Sequence, residues 1–172
     1  MEDNRKTWLW LNIALLAATW LVSIYAYGNL PQRIPVHFTW DGMPDNWSDK
    51  TYYTYFFLPL LGTIIVIGML VLTKFPEIYN FPQKEQIKTW PAEKKKPIHA
   101  ILSKMMLVIA LLVNLLFFFI QFMIIEGAKK QQVEKSQFWI IMGLSIAFLP
   151  VVLYYLVRVG KTIEELKKGM RT

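Results

Sequence analysis

Cysteine is absent from the 172 residues, which excludes a disulfide framework, a thiol nucleophile and a thiolate metal site. Histidine is nearly absent, with two copies. No zincin helix, phosphate loop, dinucleotide glycine pattern or Ser-His-Asp order occurs, so the common catalytic signatures are missing. Charge is the third scarcity. Long runs of the chain carry almost none, while 55% of the residues are hydrophobic and the mean hydropathy is +0.33, which fits an integral membrane protein rather than a soluble domain. Nineteen Lys and Arg stand against twelve Asp and Glu, a net charge of +7. In a soluble protein that excess would suggest nucleic acid. In a membrane protein the same residues gather on cytoplasmic loops for orientation, so the expected partner is the lipid bilayer and not a nucleic acid.

The pattern predicts an all-α integral membrane fold in a single domain over residues 1–172, with four transmembrane helices at about 7–28, 52–73, 100–125 and 138–157. Each run is long enough to cross a hydrocarbon core of about 30 Å. A secretory signal peptide competes for the first run, but signal h-regions extend only about 7 to 15 residues, which favours a retained anchor. Pro59 predicts a kink in the second helix, and Gly62 and Gly68 predict close approach to a neighbour. Residues 74–99, punctuated by Pro76, Pro82, Pro91 and Pro97, read as a cytoplasmic connector with one short helical turn near Lys84 to Lys88. His99 reads as a solvated residue at the helix end. Glu126 to Gln137 reads as a loop, and Thr162-Ile163-Glu164-Glu165-Leu166 as the capping box of a separate surface helix. Asn114 and Gln121, seven apart, share a face of the third helix. Asn114 is expected at the depth of Thr19, in an interhelical hydrogen bond rather than a solute path.

Residues 29–51 stand apart from this frame as a compact outer loop. Pro31 and Pro35 force Leu30 and Ile34 into extended backbone. Val36, Phe38 and Trp40 alternate with His37 and Thr39 and predict a short strand with one apolar face. Asp41-Gly42 signals a turn, Pro44-Asp45 a second bend, and Ser48-Asp49 a cap for the second helix. The candidate functional residues are Pro35, His37, Phe38, Asp41, Gly42, Pro44, Asp45, Trp47 and Lys50. His37, Asp41, Asp45 and Asp49 recur every four residues, a ligand spacing on a helix, but proline and glycine exclude that helix here. Turn carboxylates and a hydrogen-bonded histidine are the preferred reading, with no metal, cofactor or catalytic residue.

Only Arg33, Lys50, Lys129, Lys130 and Lys135 among the nineteen basic residues fall on the side of this loop. The positive-inside rule therefore places both termini in the cytoplasm and the loop outside.

Leu30-Pro31, Ile34-Pro35-Val36-His37-Phe38, Gly42-Met43-Pro44-Asp45-Asn46-Trp47 and Lys50 carry a resemblance. They are similar to the loop of a bacterial membrane domain of unknown function, the one that forms the amino-terminal half of SdpI-type immunity proteins. Pro76-Glu77-Ile78-Tyr79-Asn80-Phe81-Pro82 is similar to an element after the second span in some members. The resemblance covers about the first half of the chain. SdpI-type proteins protect the producing cell from a secreted peptide toxin and can hold a repressor at the membrane. What it implies is a non-enzymatic, multi-pass protein of a bacterial cell membrane, acting in immunity or envelope-stress sensing, with an extracellular peptide ligand and a cytoplasmic regulatory protein as partners. The competing class is a small transporter or a membrane enzyme using His37 and Asp41. A water-filled cavity joining His37 to Asn114 would accompany transport, whereas a closed apolar bundle would accompany sensing.

Overall fold

Within a bilayer every backbone amide and carbonyl must be satisfied locally, which leaves the helix as the form open to each charge-free run. A computed structural model describes residues 4–131, 133 and 135–170. Its helices are α1 Arg5–Tyr27, α2 Tyr52–Leu72, α3 Ala92–Lys130 and α4 Lys135–Lys168. All four are long and apolar enough to span, and the chain is a multi-pass membrane protein. Between α1 and α2 lies a two-stranded antiparallel hairpin, β1 Arg33–Phe38 with β2 Pro44–Asp49. Two single turns of 3-10 helix, Pro76–Ile78 and Glu85–Ile87, shape the connector.

The long helix α3, about 58 Å at 1.5 Å per residue, is the post on which the other elements lean. Helices α1 and α2 pack against it and each other, α4 packs against it, and β1 rests near its carboxyl end. The apolar side chains along α4 point outward, Ile146 68% and Leu149 66% exposed, a surface that suits hydrocarbon and would aggregate in water.

Apolar burial concentrates at the two ends. At the connector end, Tyr79, Phe81 and Ile87 close over Ile98 and Leu102 of α3 and Val159 and Ile163 of α4. At the hairpin end, Ala26, Leu30, Ile34, Tyr55, Ile125 and Ala128 form the second cluster. Polar bonds tie the helices in between. Asn114 Nδ2 donates to the Asn12 carbonyl at 2.9 Å, and Asn12 Nδ2 reaches the Leu107 carbonyl at 3.1 Å, so α1 and α3 hold each other from both sides. The Tyr55 hydroxyl donates to the Ser23 carbonyl at 3.0 Å, joining α2 to α1. Trp20 Nε1 donates to Thr63 Oγ1 at 2.8 Å, a second link between the same pair.

Several expectations are corrected. Asn114 meets Asn12 rather than lying level with Thr19, because the side-chain bonds, not the centring of two apolar runs, set the helix register. The last residues assigned to the connector are helical from Ala92. Pro97, the sixth residue of α3, removes the bond an amide there would have made to the preceding turn, and burial of Ile98 and Leu102 offsets the loss. His99 accordingly lies two turns inside α3, half-buried, not solvated at a helix end. Helix α3 runs on to Lys130 and α4 starts at Lys135, so both ends of the expected Glu126 to Gln137 loop are helical. No separate tail helix forms at Thr162: α4 continues to Lys168, since Val159 and Ile163 keep its apolar stripe in register. Helix α2 is helical through Pro59, whose carbonyl accepts the Thr63 hydroxyl at 2.7 Å. Gly62 does admit a neighbour, as a Cβ there would stand 2.7 Å from Phe117 Cγ, whereas Gly68 faces open space.

Gln121 follows Asn114 on the same face of α3 and is fully buried, and among the described residues its amide makes no hydrogen bond of normal geometry, although the Tyr55 hydroxyl lies beside it. The two positions should therefore respond differently to the same substitution. In detergent, Asn114→Leu should lower thermal stability by about 1 kcal/mol, the usual worth of an interhelical polar bond. Gln121→Leu should leave the melting temperature unchanged or raise it, because it removes an unsatisfied buried amide. Equal losses at both positions would show that Gln121 holds a partner, such as a water, that matters to the fold.

Candidate functional site

The hairpin begins where α1 ends. Gly28 and Asn29 turn the chain, Leu30 drops into the end cluster, and β1 starts at Arg33. Arg33 pairs with Asp49, Ile34 with Ser48 and Pro35 with Trp47; one irregularity shifts the ladder before His37 meets Asn46, and a second before Phe38 meets Pro44. These bulges rotate the strand, so the apolar face differs from the predicted one. Ile34 and Pro35 are buried, while Val36 and Trp40 are exposed, Trp40 by 85%. Pro44-Asp45 does not bend the chain but opens β2, a strand start being a position that tolerates the missing amide of proline.

The turn is closed by Gly42, whose amide donates to the Thr39 carbonyl at 2.9 Å and whose φ of 85° lies in the left-handed region. A Cβ at Gly42 would also stand 2.9 Å from Phe138 Cβ of α4. Both the conformation and the contact demand glycine. Pro35 and Pro44 sit over Gly127 of α3, where a Cβ would come within 3.1 Å and 3.5 Å of their rings.

Lys50 fixes the other side of the root. Its ammonium donates to the carbonyls of Tyr27 at 3.0 Å and Leu30 at 2.7 Å and lies 4.9 Å from the Tyr27 ring centroid. A cation at the end of α1 thus satisfies carbonyls that the helix leaves open. Tyr27 also stacks on Tyr52 at 4.9 Å and meets Phe56 at 5.3 Å. The amino end of α2 is capped not by Ser48-Asp49 but by Thr51 and Thr54 in a capping box. The Asp49 carbonyl accepts the Thr54 hydroxyl at 2.8 Å. Threonine three residues later can reciprocate, whereas Ser48 and Asp49 remain in the strand ladder.

The titratable candidates separate along the hairpin. His37 Nδ1 meets Asp45 Oδ1 at 2.6 Å across the strands. Asp41 accepts from the Thr39 hydroxyl inside the turn, and that bond holds its carboxyl below the ordinary value of 3.8. The support it gives the turn is present above that value and fades as the pH falls through the lowered one. His37 and Asp41 therefore form no dyad. Among the described residues no group of three His, Cys, Asp or Glu converges as a metal set.

Beside the hairpin root lies a cleft of about 640 Å³ between β1, β2 and the end of α3. Its lining includes Pro44 and Trp47, two of the candidate residues of the sequence, together with Arg33, Ala128 and Gln131, which were not candidates. Arg33 donates to the Trp47 carbonyl at 3.0 Å, which sets its guanidinium on the rim. The residues from α3 lie about eighty positions away in sequence, and no local pattern announces them.

Residues 14–63 match the model of a Domain of unknown function (DUF1648). That region holds the later part of α1, the whole hairpin and the first half of α2. An uncharacterized protein of Archaeoglobus fulgidus is 32% identical over 85 residues, which cover 48% of this chain and 45% of that protein. The chain thus matches less than half the length of that relative. No solved structure matches. These similarities agree with a membrane domain of unknown function.

Root and tip should separate on mutation. Lys50→Met should destabilise by about 2 kcal/mol, the cost of losing hydrogen bonds to a charged donor, and Gly42→Val should lower yield and melting temperature more. His37→Ala should cost no more than about 1 kcal/mol, as for an exposed ion pair. Thermal melts of the purified variants in one detergent check the order. A His37→Ala loss as large as that of Lys50→Met would make the tip structural.

Proposed function

We propose that this chain is a non-enzymatic component of a bacterial cell membrane that meets a membrane-active peptide at its outer hairpin, in the manner of an immunity or envelope-stress protein. One observation carries the reading: the hairpin is fixed at its root by Lys50, Ile34 and the Gly127 contact, yet leaves His37, Trp40, Asp41 and Asp45 exposed. A rigid support for exposed aromatic and charged groups lowers the ordering cost of binding. The cleft under Trp47 and Arg33 would receive an extended or helical peptide at the membrane surface. The resemblance of the loop to SdpI-type proteins supplies the immunity part of the proposal. His37 and Asp41, engaged with different partners, give less support to an enzyme, and Asn114, committed to Asn12, gives less to a transport path.

In this reading the hairpin is extracellular and both termini are cytoplasmic, with the connector and the basic tail available to a regulatory protein. The charge bias of the loops supports that orientation. The cysteine-free chain permits a direct check by single thiols. Trp40→Cys and Gln131→Cys should react with an impermeant reagent in intact cells, and Glu85→Cys only after permeabilisation. The reverse pattern would end the outward-sensing reading.

Protection is the second measurement. Cells expressing the native chain should survive higher doses of some cationic amphipathic peptide in a panel than cells with an empty vector. His37→Ala/Asp41→Ala and Arg33→Gln should remove that protection at unchanged abundance. Protection that survives all three substitutions would place the activity elsewhere than the hairpin.

A further inference from the structure

Tyr155 of α4 is 6% exposed and stands one turn before Val159 and two before Ile163, so it carries the buried stripe of the connector-end cluster one turn further into the span. A buried phenol normally has a partner for its hydroxyl. Among the described residues this one has none: Tyr154 packs against its ring at 5.1 Å, and no hydrogen bond is made. Trp8 of α1 repeats the pattern, its indole Nε1 covered by packing and without an acceptor. Other polar groups of the bundle are matched across helices, Trp20 to Thr63 and Tyr55 to the Ser23 carbonyl. Trp8 and Tyr155 instead line one cavity of about 320 Å³, walled by Val108 of α3 and by Pro150, Val151 and Tyr154 of α4. Pro150 and Tyr154 are exposed on the outer face of α4, so the cavity opens toward lipid, where no water replaces a missing partner.

We infer that this cavity takes the ring of a prenyl quinone, an uncharged planar dicarbonyl dissolved in the bilayer. One ring carbonyl accepts from the Tyr155 hydroxyl, and the other accepts from the Trp8 indole once that ring turns toward it. The described lining carries no charge, so a phospholipid phosphate gains nothing there, and its glycerol esters could enter only by drawing the phosphate after them. A plain acyl chain fills the apolar walls and leaves both donors unmade. A quinone brings two acceptors on opposite edges of a flat apolar ring, which suits donors supplied by two different helices. Three aromatic rings and Pro150 offer flat walls for it. The volume lies at the small end of ligand cavities, enough for a ring, while the prenyl tail stays in the bilayer that Leu149 and Leu153 already face.

The test uses the full chain in phosphatidylcholine nanodiscs and a decyl benzoquinone whose tail carries a diazirine. Irradiation should label peptides that contain Val108 or Val151. Unlabelled decyl benzoquinone should compete that label away, whereas decylbenzene, with the same tail and a ring but no carbonyl, should not. Tyr155→Phe and Trp8→Phe keep an apolar ring and remove the donor, so each should raise the quinone needed for half-competition roughly 3- to 10-fold, the worth of one hydrogen bond, at an unchanged melting temperature. Val108→Trp fills the cavity and should abolish the competed label, and Val151→Phe serves the same purpose if the first variant does not fold. The inference fails if the label on the native protein resists competition, which would mean partition into the disc alone, or if decylbenzene competes as well as the quinone, which would make the cavity an apolar groove. It fails equally if dioleoylglycerol competes as well, which would assign the cavity to lipid esters, or if both donor variants bind like the native chain.

Discussion

Apolar burial cannot hold helices together where the solvent is itself apolar, and the form of this protein follows from that constraint. Leucine against leucine across a membrane gains little over leucine against lipid. The arrangement must then be specified by polar bonds inside the bilayer and by apolar clusters in the wetter layers at its ends. This chain uses both. The Asn12 and Asn114 pair sets the register of α1 on α3, and the two end clusters clamp the bundle where water makes burial worthwhile. Among the described residues helix α3 is the element that contributes to both clusters, which explains why it is longer than a span requires.

The hairpin is part of that clamp as well as a display. Leu30 and Ile34 belong to the hairpin-end cluster, so the loop cannot be loosened without opening the junction of α1, α2 and α3. Lys50, just before α2, adds a polar staple to the end of α1 and to Leu30. The region similar to the domain of unknown function, residues 14–63, therefore encodes only one side of a contact surface. Its Gly62 closes on Phe117, and its Pro35 and Pro44 close on Gly127, both outside the match. A sequence that shares the hairpin must supply some equivalent of α3 to keep it folded.

What could be read from the residues followed the range of the forces involved. The four spans were legible because length and lack of charge are properties of a contiguous run. Asp41-Gly42 was legible as a turn because φ near 85° at Gly42 is a local demand. The second strand was not, since Pro44-Asp45-Asn46 has the composition of a bend and pairs only because β1 is held beside it by α3. The bulges that bury Pro35 and expose Val36 likewise depend on contacts across the ladder. Helix ends were missed for the same reason. Pro97 reads locally as a break, and only the distant Val159 and Ile163 make the helix around it worth forming. In the candidate site, the polar tip was visible in the sequence, whereas Arg33 and the α3 side of the cleft required the tertiary fold.

The two ends also differ in charge, and the difference has a physical consequence beyond orientation. Lysines and arginines that bias insertion remain in place once the helices have crossed, and their repulsion persists at the membrane surface. On the connector, Lys88 and Lys96 meet Glu85 and Glu93 one turn away, which spreads charge along exposed helix faces at little cost.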